Sequence, residues 1–340
     1  VIDGTGNPGR QEDVLIAGDE IVFVGQVDAS LIDATQVWDA SGKIVSPGFI
    51  DAHAHGEVIR DAPFHNFLAM GVTSISLGQD GSSPAFEDIN DWYAEAANVN
   101  PGVNIIPMVG HGTLRKMSGA ALQTDILEET LSRMNDLLAD ALDKGCFGMS
   151  TGLEYIPGTF AGTEELEMLA RTVGQKNGII MSHMRNEDDD ALEASIRELL
   201  AQGQYCRVHV AHLKSVYGKG AARAEQILAL LRDNGIPFPV SADVYPYTAS
   251  YTGIGILFPD WAKAPNDYAQ VKKDKREELL SFLRNKVAAR NGPSATLLGT
   301  APYTGKTLED LSKEQNRPFE EVLLDIGPTG ASGAYFVMDE

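Results

Sequence analysis

Two histidines separated by one residue, His53 and His55, are the side chains of this sequence best suited to metal chemistry. They follow a short apolar run that includes Phe49 and Ile50 and is typical of a β-strand. Because side chains alternate along a strand, both imidazoles should point to one face, close enough to share a cation. Imidazole nitrogen suits zinc and similar divalent ions. We therefore predict a metal site where this strand ends.

Two further histidines close later β-runs in the same way. His183 ends the fifth run and His212 ends the sixth. In a barrel of parallel strands the carboxyl ends meet on one face, so the four histidines are predicted to converge there. His209 has an odd offset from His212 and is expected to face the outside of the barrel. His111 could reach substrate or simply cap a loop, and both interpretations stay open.

The β-runs alternate with helical stretches, the pattern expected of a parallel sheet covered by helices. Apolar β-runs lie near residues 44–53, 72–78, 103–110, 146–153, 178–183, 207–212 and 238–245. Apolar residues recur at helical spacing in 125–144, 163–175, 190–202 and 221–234. The charged stretch 267–290 is expected to form a helix with a solvated outer face.

These elements predict an α/β protein with a (β/α)8 barrel of the TIM type over residues 46–340. Seven strands are visible in the sequence and the eighth is not. An open seven-stranded barrel would leave two bare edges, so we expect the natural polypeptide to continue. Residues 1–45 contain short β-runs around the turn at Gly18-Asp19, which predict a hairpin belonging to a small N-terminal β-sandwich.

The amino-acid composition limits the classes of partner that the protein is expected to bind. The net charge of −21 argues against nucleic acid and anionic membranes, and no apolar run approaches the roughly 20 residues of a membrane span. Cys146 and Cys206 lie in apolar β-runs and are expected to be core thiols, which favours a reducing compartment such as the cytoplasm. We expect a small-molecule substrate, and a homo-oligomer is left open.

A set of motifs resembles the N-acyl-D-amino-acid deacylase (D-aminoacylase) family of the amidohydrolase superfamily. The motifs occur in that family's order at residues 51–55, 71–75, 109–112, 150–158, 183–187, 212–214 and 245–247. The resemblance implies one or two zinc ions held by four ligands, His53, His55, His183 and His212. It also implies that Lys214 and Tyr245 hold the substrate carboxylate.

The chain departs from the family where a cysteine usually bridges the metals. The family's Gly-Asn-Cys-Gly corresponds here to Gly78-Gln79-Asp80-Gly81, which lacks a thiolate. Two nearby cations still need an anion between them. Glu154, just past the fourth strand, is the favoured candidate for that bridge. Asp80 is the alternative, although it could instead shape the loop as a turn residue.

Two other family features do not fall on matching residues. The serine that contacts the substrate carboxylate corresponds to Tyr251, with Ser250 adjacent. The catalytic aspartate at the end of strand eight, and a later carboxylate-binding arginine, would lie beyond Glu340.

Arg185 is either a rim arginine paired with a neighbouring carboxylate or a second cation near the substrate anion.

The resulting hypothesis is a zinc-dependent hydrolase that deacylates N-acyl-D-amino acids through activated water. The D configuration rests on the resemblance alone. A cyclic-amide hydrolase of the hydantoinase or dihydroorotase type, or a dipeptidase, is an alternative. The cyclic-amide type uses a lysine after strand four, and no lysine occurs between Cys146 and Gln175. A non-catalytic barrel scaffold is the alternative from another class of protein.

Overall fold

The computed structural model describes residues 1–336, and its strands confirm the α/β class. The strands are β1 (Asp13–Ala17), β2 (Glu20–Gly25), β3 (Phe49–Asp51), β4 (Val72–Leu77), β5 (Asn104–Gly110), β6 (Gly148–Gly152), β7 (Ile179–His183), β8 (Arg207–Val210), β9 (Val240–Ala242), β10 (Ala249–Gly253), β11 (Thr296–Leu298) and β12 (Ser332–Phe336). Strands β3 to β9 form one curled parallel sheet in sequential order, which fits a TIM-type barrel.

Helices connect and cover these strands. They are α1 (Val58–Asp61), α2 (His65–Ala69), α3 (Ile89–Asn98), α4 (His111–Ser118), α5 (Glu128–Asp143), α6 (Thr163–Gln175), α7 (Leu192–Gln202), α8 (Ala221–Arg232), α9 (Tyr268–Asp274), α10 (Arg276–Ala289), α11 (Leu308–Gln315) and α12 (Phe319–Ile326). The four helices predicted between 125 and 234 are confirmed as α5 to α8. No helix of residues 1–336 is long and apolar enough to cross a membrane.

The main core lies between the sheet and helices α5 to α7. Met134 and Leu138 are one turn apart on α5 and fully buried, so they press one helix face onto the strands. Every residue of β6 is buried, as expected for a parallel strand covered on both faces. Each fully buried side chain of this type contributes about 1.5–3 kcal/mol to folding. Strands β6 and β7, which lead to Glu154 and His183, are therefore anchored in this core.

Residues after β9 form a second, smaller unit. Strands β10, β12 and β11 make an antiparallel sheet, and helices α9 to α12 pack against it around a separate apolar core. The charged stretch 267–290 is helical and keeps the expected solvated outer face, but it forms two helices and also buries an inner face. The stretch divides at Lys275, and Leu279, Leu283 and Val287 of α10 are completely buried. Their spacing of four residues forms the apolar stripe that the charged composition obscured.

The N-terminal hairpin is confirmed. Strands β1 and β2 pair antiparallel around the turn at Gly18, which adopts a positive φ of 65°. Several apolar side chains of this hairpin are exposed, including Ile16 and Ile21. Within residues 1–336 the hairpin forms a two-stranded sheet of its own, so the predicted β-sandwich is present only in part.

Candidate metal centre

His53 and His55 lie in the loop after β3 rather than on an extended strand. The strand ends at Asp51, so alternation along a strand does not explain why the two imidazoles are close. The loop is held by a hydrogen bond from the Ala54 amide to the Ser76 carbonyl of β4. The centres of the two histidine rings are 5.3 Å apart. The predicted proximity is therefore present, but the loop conformation produces it.

His183 and His212 meet the same site from β7 and from the loop after β8. Nδ1 of His183 lies 2.9 Å from Nε2 of His212, and the two ring centres are 4.6 Å apart. The His212 ring centre is in turn 5.0 Å from that of His53. The four predicted histidines are thus brought together at the carboxyl edge of the sheet.

The expected outward orientation of His209 was wrong. Strand β8 ends at Val210, and His212 adopts a positive φ of 38°, so strict alternation does not extend from one histidine to the other. His209 is buried, and its Nε2 lies 2.8 Å from the Asp243 carboxylate. It therefore contacts a residue of the site instead of the outer helices.

Asp80 occupies the space between three of these histidines. Its Oδ1 lies 3.4 Å from Nε2 of both His53 and His212, and its Oδ2 lies 3.3 Å from Nε2 of His55. The residue has a positive φ of 53°, which aspartate tolerates better than most residues. The loop packs directly on β6, where a Cβ at Gly152 would lie 2.1 Å from the Asp80 carbonyl oxygen.

The charges of the site stabilise one another. Burial alone would raise the pKa of Asp80, but the neighbouring histidines hold it well below its ordinary value. Burial would likewise lower the pKa of His53, yet Asp243 and Asp80 raise it to about 9. Asp80 is therefore held as an ionised carboxylate among the histidines.

Two more carboxylates orient the histidines from outside, and sequence reasoning missed both. Asp243 accepts from Nδ1 of His53 at 3.2 Å, and Glu187 lies 3.0 Å from Nδ1 of His212. Each contact leaves the Nε2 atom of its histidine facing Asp80. Carboxylates that hold the second nitrogen of a histidine are typical of metal sites. The only signal in the sequence was position along the chain, because Asp243 follows β9 and Glu187 follows His183 closely.

Glu154, the favoured bridging residue in the sequence, contacts one histidine. Its Oε2 lies 3.0 Å from Nε2 of His183. The adjacent Tyr155 places its ring centre 4.3 Å from that of His183, and its hydroxyl hydrogen-bonds Thr252 of β10 at 2.9 Å. The geometry therefore favours Asp80 over Glu154 as the shared carboxylate, because Asp80 reaches three histidines.

A cavity of about 680 Å³ opens onto the histidines, within the usual size range of ligand sites. Lys214 and Tyr245 both line it, in agreement with the sequence expectation of where they lie. The Lys214 ammonium is 2.5 Å from Glu187 and 3.1 Å from His212. Burial raises the pKa of Tyr245 to about 12, so its phenol is a hydrogen-bond donor at neutral pH.

Two sequence candidates lie away from this cavity. Arg185 donates to Glu198 at 2.8 Å and to the carbonyl oxygens of Thr159 and Ala161, so its guanidinium is fully engaged elsewhere. The suggested role of Arg185 as a cation beside the substrate does not fit this position. His111 is completely buried beside Glu165 and is absent from the cavity lining.

The residues present fit a divalent cation. Two overlapping groups bring their ligand atoms within 4.8 Å of one another, one with His53, Asp80 and His212 and one with His183, Glu187 and His212. Oδ1 of Asp80 is buried without a well-formed hydrogen bond. Nitrogen and carboxylate ligands of this kind suit zinc. A parallel barrel-type sheet with such a centre at its carboxyl edge is compatible with the metal-dependent amidohydrolases.

Comparison with known proteins agrees with this class. No protein-family model matches the chain. N-acyl-D-glutamate deacylase of Alcaligenes xylosoxydans xylosoxydans is 35% identical over 297 residues, which cover 78% of this chain and 59% of that protein. D-aminoacylase of the same organism is 29% identical over 369 residues, covering all of this chain and 69% of the relative. The chain thus spans roughly three-fifths to two-thirds of these relatives.

Solved structures are similar over almost the whole chain. N-acyl-D-glutamate deacylase from Bordetella bronchiseptica, complexed with zinc and a phosphonate inhibitor, has a TM-score of 0.78 at 28% identity. A D-aminoacylase with a binuclear metal centre has a TM-score of 0.77 at 28% identity. Each match covers 99% of this chain and 70% of the other. In sequence and in fold the chain is thus similar to the D-aminoacylases, a subset of the amidohydrolases.

Proposed function

We propose that this protein is a zinc-dependent hydrolase that deacylates N-acyl-D-amino acids to a carboxylate and a free D-amino acid. The observation that carries the proposal is Asp80, a partly buried carboxylate within 3.4 Å of three histidines. The D configuration and the linear amide are supported by the relatives named D-aminoacylase and N-acyl-D-glutamate deacylase.

In this proposal four histidines and one carboxylate hold one or two zinc ions. The histidines are His53, His55, His183 and His212. We infer that Asp80 takes the place of the bridging cysteine, with Glu154 as the second choice. When bound, such an ion supplies Lewis acidity, which makes water acidic near neutral pH and polarises an acyl carbonyl.

The remaining side chains of the cavity bind and orient the substrate. Lys214 and Tyr245 line one wall, and both can donate hydrogen bonds to the α-carboxylate. Asp243 and Glu187 hold their histidines by Nδ1, which keeps the Nε2 atoms aimed at the centre. The hydrogen bond between Tyr155 and Thr252 joins the smaller unit to the cavity rim.

The proposed architecture extends the observed one. We propose that an eighth strand between β9 and β3 completes a (β/α)8 barrel around the parallel sheet of β3 to β9, and that residues 1–45 belong to a β-sandwich. Phe49 and Ile50 on β3 are 60% and 67% exposed, and Ile16 on β1 is 67% exposed. Apolar strand edges of this kind are normally covered. A cytoplasmic location and a homo-oligomer stay predictions.

The test is an assay of the full-length protein with paired N-acetyl-D- and N-acetyl-L-amino acids, with zinc added or chelated. We expect zinc-dependent release of free amino acid from the D substrates, measured with oxidase reactions specific for D- and for L-amino acids. Release from the L substrates alone would contradict the proposed stereochemistry. No release from either, with zinc bound, would contradict deacylation and redirect the search to cyclic amides or dipeptides.

A further inference from the structure

The smaller unit contributes a buried cation to the cavity, Arg290. This residue follows α10 directly, and its backbone amide donates to the Val287 carbonyl at the end of that helix. Its side chain lines the same cavity as Lys214 and Tyr245. Only 6% of the residue is exposed. An arginine so deeply buried in a protein is normally paired with a carboxylate.

Arg290 has no such partner within residues 1–336. Its Nε makes no hydrogen bond, and the carbon at the centre of its guanidinium lies 5.2 Å from the ring centre of Tyr335 and 5.9 Å from that of Tyr217. The charge of Glu154 acts on Arg290 at longer range, but the two side chains do not form an ion pair. The guanidinium is thus held beside two aromatic rings, with a hydrogen bond to Tyr217 but no carboxylate in direct contact.

The other basic side chains considered for this region are already neutralised. Lys214 is paired with Glu187 at 2.5 Å, and Arg185 is paired with Glu198 at 2.8 Å. Burying an unpaired charge is costly, and a bound anion would remove that cost. A carboxylate matches the guanidinium in bidentate geometry. Arg290 is therefore a cation of the cavity lining that no carboxylate of residues 1–336 contacts directly.

We propose that Arg290 binds a carboxylate of the substrate and is a substrate-binding residue contributed by the smaller unit. This inference rests on the proposed function and deepens it, because it adds a contact that selects the substrate. The carboxylate has two possible sources. One is the α-carboxylate common to all N-acyl amino acids, and the other is the side-chain carboxylate of an acidic amino acid.

The test compares Arg290→Gln and Arg290→Lys with the wild-type protein on N-acetyl-D-leucine and N-acetyl-D-glutamate. We expect KM to rise by about 10- to 100-fold in Arg290→Gln, with a smaller change in kcat, because a charged hydrogen-bond pair is lost. A rise for both substrates assigns the α-carboxylate. A rise for the glutamate substrate alone assigns the side-chain carboxylate. Arg290→Lys should recover part of the loss, since it keeps the charge.

Arg197→Gln is the matched control. It makes the same chemical change at an exposed residue of α7, away from the cavity. It should leave both KM values unchanged. Folding of every variant is checked by circular dichroism and thermal melting. An Arg290→Gln protein that folds and keeps the wild-type KM for both substrates overturns the proposal. An equal loss of kcat in Arg290→Lys and Arg290→Gln, with KM unchanged, also overturns it.

Calorimetric binding to the metal-free protein separates this inference from the proposed function. The two N-acetyl amino acids are titrated into wild type and Arg290→Lys, without any need for turnover. If the wild-type protein binds them but never releases free amino acid, deacylation fails while the role of Arg290 is still measured. Weaker binding in Arg290→Lys supports the carboxylate contact, and identical binding in the two proteins overturns it. If Arg290→Gln does not fold, this comparison decides the question.

Discussion

Two clusters of histidine and carboxylate side chains within residues 1–336 can be compared, one of them buried and the other partly buried beside a cavity. In the first, His111 and Arg115 are completely buried and share the carboxylate of Glu165, which lies 2.6 Å from the His111 ring. In the second, His53 and His212 surround Asp80 beside a cavity of about 680 Å³. The residue types are similar, but the surroundings differ.

The difference lies in the balance of charge, because both clusters leave a buried polar atom without a hydrogen bond, Nδ1 of His111 in the first and Oδ1 of Asp80 in the second. Arg115 donates to the second oxygen of Glu165 and to the carbonyl oxygens of Ala121 and Gln123, so the first cluster is closed and has a single anion with its own cation. Around Asp80 three further carboxylates crowd the histidines, and a buried Asp80 oxygen is left without a hydrogen bond. An excess of acceptors next to a cavity, rather than burial alone, distinguishes a cation site from a structural pair.

Removing one histidine from each cluster should give the largest difference between the two clusters, measured as zinc content. We expect His212→Ala to lose its bound zinc, because the two groups of ligand atoms share that side chain. His111→Gln should keep a wild-type zinc content and lose stability instead. Zinc per chain, measured by inductively coupled plasma mass spectrometry, checks both. Retention of zinc in His212→Ala would contradict the assignment of the site.

Replacing the two candidate carboxylates tests which one is shared between ligands. We expect Asp80→Asn to weaken zinc binding by about 100-fold or more, since outer-shell partners alone are worth about 10- to 100-fold. Glu154→Gln should weaken it by about 10-fold or less, because Glu154 contacts only His183 among these histidines. Competition with a fluorescent chelator measures both affinities. Asp80→Cys, which restores a thiolate, should retain zinc, and the reverse order of effects would assign the bridge to Glu154.

The closed cluster should affect stability without affecting zinc. We expect Glu165→Gln to lower the free energy of unfolding by about 3 kcal/mol, because Arg115 would stay buried without its anion. Burial would raise the pKa of Glu165, but His111 and Arg115 lower it below its ordinary 4.5. Its contribution is therefore full above about pH 4.5 and is lost as the pH falls through the lowered folded value.

Urea titrations of wild type and Glu165→Gln at several pH values measure this contribution. The difference between the two proteins should be constant near neutral pH and shrink in acid. A difference that grows as the pH falls would have the wrong sign and would contradict the ion-pair account.

Arg185→Gln should give the smallest effect. Arg185 is partly exposed and paired with Glu198, so its loss should cost about 1 kcal/mol of stability. Because Arg185 does not line the cavity, KM for N-acetyl-D-amino acids should change by less than about twofold. Steady-state kinetics and a thermal melt check the two expectations. A tenfold rise in KM would restore the role suggested from the sequence.

The sequence predicted the elements better than the orientations of their side chains. Alternating β-runs and helical stripes identified the parallel sheet, because period and length are local properties. His209 was misjudged because β8 ends at Val210 and His212 takes a left-handed backbone conformation. No periodic pattern predicts where a strand stops or how the next loop turns.

Contacts between distant parts of the chain explain what else was missed. Asp243 reaches His53, and Arg290 reaches the cavity, only after the sheet and the smaller unit have packed. Neither contact has a local signature. The four histidines could be found because each stands at the end of a recognisable β-run, whereas Asp80 was undervalued because turn aspartates are common.

The most direct test of the metal site is an anomalous diffraction map of zinc-loaded crystals, recorded on both sides of the zinc absorption edge. We predict a peak about 2.0–2.2 Å from Nε2 of His53 and from an Asp80 oxygen. A second ion would lie beside His183 and His212. A zinc-loaded crystal with no peak at these side chains, or with zinc bound only elsewhere, would contradict the account.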